Sequence, residues 1–558
     1  MSKFKNLLLA LIPLSVLLPY SNACGSPFIT NFTTNQLNKN STLLRSSVLG
    51  SVTTFLVRNL STNSLEEIQF QLLVTDGVSN FYAEVLEISN GNIDLASIDA
   101  LFQTFTSSTL DADSLYLQNG IKAAEEAVLG LPPTIDENSE VHILFMDIRD
   151  GYSNSGEFVA GFFDPQDQMM CLHKNGLSWQ PEATENTCIS PYEWSSNGNG
   201  LNIIYIDSNP ARIDEDGLEN ALFTLAHEYQ HLLHWNADLK EGYFGSVDGG
   251  WAFHNPWINE GLSDLMPSIL GLGLRDFSPY LSNPIIGLDE WSEIGSPSTL
   301  PYYAKSALFF QYLYESEGLN LISTIFTDTK QGLASIKSNY DDNGFESLYA
   351  NWIQSLVLGR LVNTSIDTEV YAKNIENQIS MGAGNALVKT EGILPEYSFT
   401  LFSVPEYISI KAIESADYLN IILYNEGTFL DSYDFIEEDV NTFEGIILYS
   451  KNVPVDNIFF DLLYDYIASP NKNNLFVYPN PITENILSYI YFGDANNSVI
   501  SINLFDLSGR QILSIQNSAD SYNNYSGDLI LSLSSGIYII QSVLSNGISE
   551  YRHISIIK

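Results

Sequence analysis

The chain reads as an α+β protein: a mixed sheet comes first, long helices follow, and short strands fill the remainder. Three observations carry this. VHILFMDI (141–148) and LNIIYIDS (201–208) are continuous apolar runs with polar flanks, the pattern of strands buried on both faces. After residue 214, apolar residues recur at helical spacing in four long segments. From about residue 390 onward the pattern returns to short strands separated by Asn, Gly and Ser turns, with no segment of helical length and period. With 558 residues the chain is too long for one core, and ~150 residues per domain gives roughly three or four units.

Taken in order, the first element is an export signal. Lys3 and Lys5 precede an apolar run from Leu7 to Leu18 and the small-residue site Ser21-Asn22-Ala23. The run is shorter than the roughly 20 residues a spanning helix needs, so residues 1–23 are expected to be removed after Ala23. Cys24 follows directly and admits a lipoprotein reading, although Ser21 and Asn22 fit a lipidation site poorly. Residues 24–90 form a β-rich segment, with strand alternation in VTTFLVRNL, EIQFQLLVTDG and NFYAEVLEIS. DLASIDALFQTF and SLYLQNGIKAAEEAVLG are helical, the second with Gly130 as its cap, and EFVAGFFDP is a strand ended by Pro165. Asp216 is a plausible N-cap with Glu219 three residues on, and Asp214 and Glu215 add charge at the positive end of a helix expected to run to about Trp235. Asn255 caps the next helix, with Pro256 in its first turn. YYAKSALFFQYLYESEG and GFESLYANWIQSLVLGR supply two more. The helical region is expected to end near 372, with a β-rich segment of unassigned role at 373–474 and a strand domain at 475–558.

Sixty-seven acidic against 23 basic residues give a formal charge of −44, which repels polyanions and speaks against nucleic acid and anionic membrane surfaces as partners. Beyond the leader, no stretch is long and apolar enough to cross a bilayer. In an exported chain Cys171 and Cys188 are expected to be joined.

The chemistry is concentrated in HEYQH (227–231) and WINEGLSD (257–264). Residues four apart on a helix lie about 6 Å apart along the axis on one face, so His227 and His231 present their imidazoles to one point. A catalytic zinc takes three protein ligands and keeps a fourth position open. His234 is roughly 10 Å along the helix from His227, too far to complete the set, and is read as a supporting or packing residue. Glu260, in the first turn of the Asn255-capped helix, is the remaining candidate; its neighbour Gly261 lets that helix approach closely. Asp264, one turn on, is placed to accept the ring N–H of a ligating histidine. Glu228 is placed to act as general base toward the attacking water. One zinc ion is the expected cofactor. The acidic clusters Asp214-Glu215-Asp216 and Asp164 to Asp167 have carboxylates suited to calcium but lack the spacing of a calcium loop, and solvated turns and helix caps account for them.

These strings resemble the gluzincin metallopeptidases, whose third ligand is the glutamate of an N-E-G or N-E-A segment. With VHILFMDIRDGY, VAGFFDPQDQ and IIYIDS, they are similar more narrowly to hyicolysin-type peptidases over roughly residues 90–320. The resemblance implies a zincin-like catalytic domain, assigned to 91–372, with the metal between a sheet-bearing half and a helical half. PYYAKSALFF resembles the segment in which gluzincin aminopeptidases place a tyrosine two residues before a lysine, which points to Tyr303 ahead of Lys305 as an oxyanion donor; His254 is the rival. Those aminopeptidases also carry G-x-M-E-N on a substrate strand. The near match here, Gly217-Leu218-Glu219-Asn220, falls in the active-site helix, so an endopeptidase acting on protein or peptide substrates is favoured.

At the other end, Tyr478-Pro479-Asn480-Pro481, Asp506, Gly509-Arg510, Gly536, Tyr538 and Lys558 resemble the C-terminal sorting domain of type IX secretion cargo, a small β-sandwich that engages the export machinery. The expectation is a secreted or cell-surface zinc endopeptidase. The rival is a non-enzymatic surface adhesin in which the ion only braces the fold.

Overall fold

The structure, a computed structural model, describes residues 23–24, 48–107, 119–135, 139–152, 158–173, 186–194, 198–240, 255–282, 285–291, 299–328, 330–341, 344–357, 359, 373–374, 385–404, 408–415, 419–425, 428–431, 445–450, 455–466, 475–478, 482, 486–492, 499–516, 524–544, 547 and 549–556. The chain divides into two compact units, one of residues 1–283 with 289–348 and one of 284–288 with 349–558.

The first unit is built on a mixed sheet. Its strands are β1 (Ala23–Cys24), β2 (Val52–Asn59), β3 (Ser64–Thr75), β4 (Ser79–Glu84), β5 (Val141–Met146), β6 (Val159–Phe163) and β9 (Asn202–Asp207), with β7 (Cys171–His173) and β8 (Tyr192–Trp194) pairing separately. Among the described residues the sheet runs β1-β6-β9-β5-β4-β3-β2. β4, β5 and β9 are mutually parallel, β6 is antiparallel to β9, and β1 is parallel to β6. The described strands of the stretch 24–90, β1 to β4, are therefore part of the same sheet as β5 and β9, and no unit boundary falls at residue 90. The division between units falls at 348/349, within a helix and ahead of the boundary expected near 372.

β5 and β9 are buried at every position, as continuous apolar runs require. Alternate residues sort to two faces. Phe55, Phe70, Tyr82, Leu144, Phe162 and Tyr205 join one core cluster, while Phe81 packs against Phe102 and Phe105 of a helix on the other side, and Phe105 meets Tyr229 edge-on.

The helices are α1 (Val85–Asn90), α2 (Leu95–Thr106), α3 (Gly120–Leu129), α4 (Leu218–Lys240), α5 (Pro256–Ile269), α6 (Ser278–Leu281), α7 (Leu300–Glu317), α8 (Leu319–Phe326), α9 (Leu333–Lys337) and α10 (Gly344–Val357). NFYAEVLEIS, expected as one strand, splits: NFYAE stays in β4, and VLEISN turns into α1, closed by Gly91 at φ 76° with its N–H on Glu87 and Ile88 carbonyls. α4 begins at Leu218, with Asp214 Oδ1 accepting from the Gly217 N–H at 3.1 Å, and continues past Trp235 to Lys240. α4 lies against β6 and β9. Gly161 of β6 permits this approach: a Cβ there would stand 2.6 Å from Thr224 Cγ2 and 2.8 Å from Glu228 Cγ.

In the second unit, β10 (Lys373–Asn374), β12 (Phe399–Ser403), β14 (Leu419–Asn425), β15 (Thr428–Asp431) and β16 (Gly445–Ser450) form one sheet, and β11 (Asn385–Leu394), β13 (Ile408–Ser415) and β17 (Val455–Tyr466) another. The last eighty-odd residues are a sandwich. One sheet is β18 (Leu475–Tyr478), β19 (Ile486–Phe492) and β22 (Asn524–Ile530), the other β20 (Val499–Asp506), β21 (Gln511–Gln516), β23 (Gly536–Leu544) and β24 (Ser549–Ile556). Leu487 and Leu529 from the first meet Ile502, Leu504, Ile540 and Ile554 from the second in a single core.

Candidate metal centre

α4 and α5 pack side by side and each turns polar side chains into the contact. On α4, His227, Glu228 and His231 are at most 2% exposed; on α5, Glu260 is fully buried and Asp264 3% exposed. Nε2 of His227 and Nε2 of His231 are 3.1 Å apart. Glu260 Oε2 lies 3.2 Å from the first and Oε1 3.5 Å from the second. Among the described residues neither Glu260 oxygen has a hydrogen-bond partner outside these imidazoles.

The opposite ring nitrogens point away and are held. His227 Nδ1 meets Asp264 Oδ1 at 2.9 Å, and the Arg275 guanidinium donates to both oxygens of that carboxylate through Nε and Nη2. His231 Nδ1 lies 3.0 Å from Ser263 Oγ and 3.2 Å from Asn259 Oδ1. Asn259 Oδ1 also takes His234 Nδ1 at 2.8 Å, and the His234 ring stacks on Phe326. His234 is thus turned away from the His227–His231–Glu260 cluster. With Nδ1 of His227 held by Asp264 and Nδ1 of His231 by Ser263 and Asn259, Nε2 is the ring atom each histidine turns toward Glu260, and a neutral ring with its proton on Nδ1 would present its Nε2 lone pair there.

The charges respond to one another. Burial works against an ionised Glu260, but His231 and His227 outweigh it and bring its pKa down to about 2. Burial alone depresses His227, yet Asp264, with Glu260 and Glu228, raises it to about 10. Burial pushes the Glu228 carboxyl above its ordinary range, opposed by the two histidines. Tyr303 is raised far more strongly by burial and by Glu260, so its hydroxyl keeps its proton.

Sequence reasoning missed several of the residues gathered here. Cys24 is 3% exposed, with Sγ 3.4 Å from His231 Nε2, and its carbonyl accepts from the Tyr303 hydroxyl at 3.1 Å. Among the described residues Cys24, His227, His231 and Glu260 form the group whose ligand atoms lie within 4.8 Å of one another. Arg275, whose Cζ sits 4.8 Å from the Tyr303 ring centre, ties Asp264 to Tyr303. Gly261 permits a close approach of α7: a Cβ on it would stand 2.4 Å from Phe310 Cδ2 and 3.2 Å from Ser306 Cβ. Lys305 is fully buried, donates to the Glu290 carbonyl, and is brought down by burial to about 7. His254 lies outside the described residues.

The acidic clusters are engaged with protein donors. Asp214 pairs with Arg212 at 2.7 Å and caps Gly217. Asp164 takes the buried Arg58 at 2.7 Å, and Asp167 accepts from Tyr205 Oη at 2.7 Å and from Asn199 Nδ2. Cys171 and Cys188 are joined in a disulfide. Among the described residues no helix is long and apolar enough to cross a membrane.

Comparison with known proteins bears on both ends of this description. One curated relative, the neutral metalloprotease ShpI of Staphylococcus hyicus, is 26% identical over 205 residues, covering 35% of this chain and 39% of the relative. The chain thus spans about two fifths of the relative's length. Among solved structures, dimeric latent PorU from Porphyromonas gingivalis matches with 12% identity over 32% of this chain and 18% of that one, at a TM-score of 0.14. The adhesin domain of Epf from Streptococcus pyogenes matches with 11% identity over 31% and 77%, at a TM-score of 0.12. Scores this low carry no argument about fold. Residues 476–557 match the secretion system C-terminal sorting domain family. The sandwich β18–β24 is therefore a type IX sorting domain, and the protein is exported to the cell surface or beyond.

Proposed function

We propose that the protein is a secreted zinc-dependent endopeptidase in which His227, His231 and Glu260 hold one zinc ion and Glu228 is the general base. The observation that carries this reading is the buried Glu260 carboxylate, which lies 3.2 and 3.5 Å from two imidazole nitrogens and has no other hydrogen-bond partner among the described residues. A proton relieves one of these three contacts, whereas one divalent cation satisfies all three. The separations of 3.1, 3.2 and 3.5 Å are close to the edge of about 3.3 Å expected for a tetrahedron with zinc–nitrogen bonds near 2.0 Å. Two imidazoles and a carboxylate suit zinc, while calcium takes six to eight oxygens. The partial similarity to a neutral metalloprotease supports the same chemistry.

Zinc in such a set polarises a carbonyl and acidifies water at its remaining position. Glu228 stands one residue beyond His227, and its raised carboxyl is suited to take the proton of the attacking water and return it to the departing amine. Asp264 fixes the tautomer of His227, and Arg275 holds Asp264. The protonated Tyr303 hydroxyl is the donor to the oxyanion, favoured over His254 because it reaches the carbonyl of a residue at the centre. β6, antiparallel to β9 and passing over Glu228 at Gly161, has on its other edge, paired here with β1, backbone groups that an extended peptide could take once β1 is displaced. A sheet lying on the helix of two histidines, with Glu260 on the next helix, supports the zincin-like reading that the sequence resemblance implies. The missing amine-binding string favours internal peptide bonds over N-terminal ones.

Glu228→Gln tests this, assayed on unfolded protein substrate with Cys24 present and with Cys24→Ala so that the thiol does not mask the result. Zinc content should stay at one per chain while hydrolysis falls by roughly 10²–10⁴-fold. Unchanged hydrolysis removes Glu228 from the mechanism. Zinc binding with no hydrolysis in either parent chain favours the adhesin reading.

A further inference from the structure

Cys24 occupies four positions that the proposed reaction needs. Its thiol stands against His231 Nε2 at 3.4 Å, at the corner of the ligand cluster left open by the two histidines and Glu260. The same side chain is hydrogen-bonded to Glu228, where an attacking water would have to sit. Its carbonyl takes the Tyr303 hydroxyl at 3.1 Å. Its backbone pairs with β6 opposite Gly161, and Ala23 pairs opposite Val159, so β1 covers the edge that an incoming peptide would use. The metal, base, oxyanion donor and substrate strand are thus engaged by one residue that is 3% exposed.

We propose that Cys24 is a fourth, thiolate ligand of the metal and that its backbone pairing with β6 is an autoinhibitory contact, so the chain is held latent until Cys24 leaves the cleft. The proposal rests on the peptidase reading given above. Independent support for a cation at this point comes from Glu260, whose buried oxygens have, among the described residues, no hydrogen-bond partner beyond the two imidazoles. Zinc binds cysteine thiolate as readily as imidazole, and four protein ligands make a closed centre in place of one with an open position. Removal of residues 1–23 leaves Cys24 as the first residue, still able to pair with Gly161 through its own backbone. Release would break only the dative bond from thiolate to metal: Cys24 would take up a proton from solvent as it left, and water would fill the place it vacated.

The other two cysteines form the disulfide, so a thiol reagent on the folded chain reads Cys24 alone. The test uses the exported full chain with cobalt(II) in place of zinc. Wild type should show a thiolate-to-cobalt charge-transfer band that Cys24→Ala lacks, with one cobalt bound in each. The thiol should resist the reagent until a chelator is added. Cys24→Ala should raise hydrolysis of unfolded protein by roughly tenfold or more, as expected when a dominant closed state is removed, and Glu228→Gln in the same chain should abolish that gain. Absence of the band, a thiol that reacts freely with metal bound, or a lipid on Cys24 by mass spectrometry overturns the proposal and leaves the peptidase reading standing if Cys24→Ala is active. A band without hydrolysis in either chain overturns latency together with the peptidase reading.

Discussion

The α4–α5 pair and the C-terminal sandwich are both rich in short motifs, but their buried side chains differ in kind. In α5 every residue from Trp257 to Pro267 is buried, and Asn259, Glu260, Ser263 and Asp264 are among them. The sandwich core is Ile482, Leu487, Ile502, Leu504, Ile540 and Ile554, while its motif residues Asp506, Gly509 and Arg510 lie at a turn toward solvent. Buried polar groups must satisfy one another, so in the helix pair the motif is the packing. In the sandwich, among the described residues, only Tyr538 of the motif joins the apolar core, and the turn residues Asp506, Gly509 and Arg510 stand outside it. Substitutions should therefore be costly and coupled in the first region and mild and separable in the second.

The largest expected effect is at Arg275. Arg275→Met leaves the Asp264 carboxylate buried beside His227 without its guanidinium partner, and breaking a buried pair from one side costs about 3–5 kcal/mol. Denaturant unfolding of the metal-free protein measures this, and a metal competition assay should show affinity weakened roughly 10–100-fold. A loss below about 1 kcal/mol would mean that Asp264 is balanced by His227 alone, and the contrast between the two regions would shrink accordingly.

An intermediate effect is expected at Gly161, where the backbone is ordinary but space is lacking. Gly161→Ala puts a methyl group against Thr224, Glu228 and the Tyr205 carbonyl, all within 2.9 Å of the added carbon. Overpacking of this sort costs about 1–3 kcal/mol. Since the displaced group is Glu228, kcat for peptide hydrolysis in the Cys24→Ala chain should fall more than stability does. Wild-type kcat in that variant would show that β6 yields and that the close approach is incidental.

Much of this was legible in the sequence, and what was not has a physical reason. His227, His231 and Glu260 could be brought together on paper because helical geometry fixes i to i+4 and Asn255 and Pro256 mark a helix start. Cys24 could not, because β1 meets β6 across more than a hundred residues, and a two-residue strand leaves no periodic trace. Arg275 lies eleven residues beyond Asp264 and outside α5, where no repeat relates the two. Asn259 was visible only as part of N-E-G, although its one carbonyl oxygen orients both His231 and His234. Two signals were present but unread. Gly161 inside an apolar strand marks a close approach, and Gly91 after VLEISN marks a helix end where alternation suggested strand.

Gly509 gives the smallest effect and the cleanest test of separability. It sits in the turn between β20 and β21 at φ 81°, with its N–H on the Asp506 carbonyl at 2.9 Å, while the Asp506 side chain accepts from the Ser508 and Arg510 N–H groups at 3.0 Å each. A Cβ there meets nothing within 4 Å, the reverse of Gly161. Gly509→Ala therefore costs only the left-handed backbone penalty of about 1 kcal/mol. Unfolding of the sandwich should register that loss, and peptide hydrolysis by the Cys24→Ala chain should be unchanged. If hydrolysis falls along with it, the sorting domain and the helix pair do not act separately, and burial alone does not explain why one region tolerates change and the other does not.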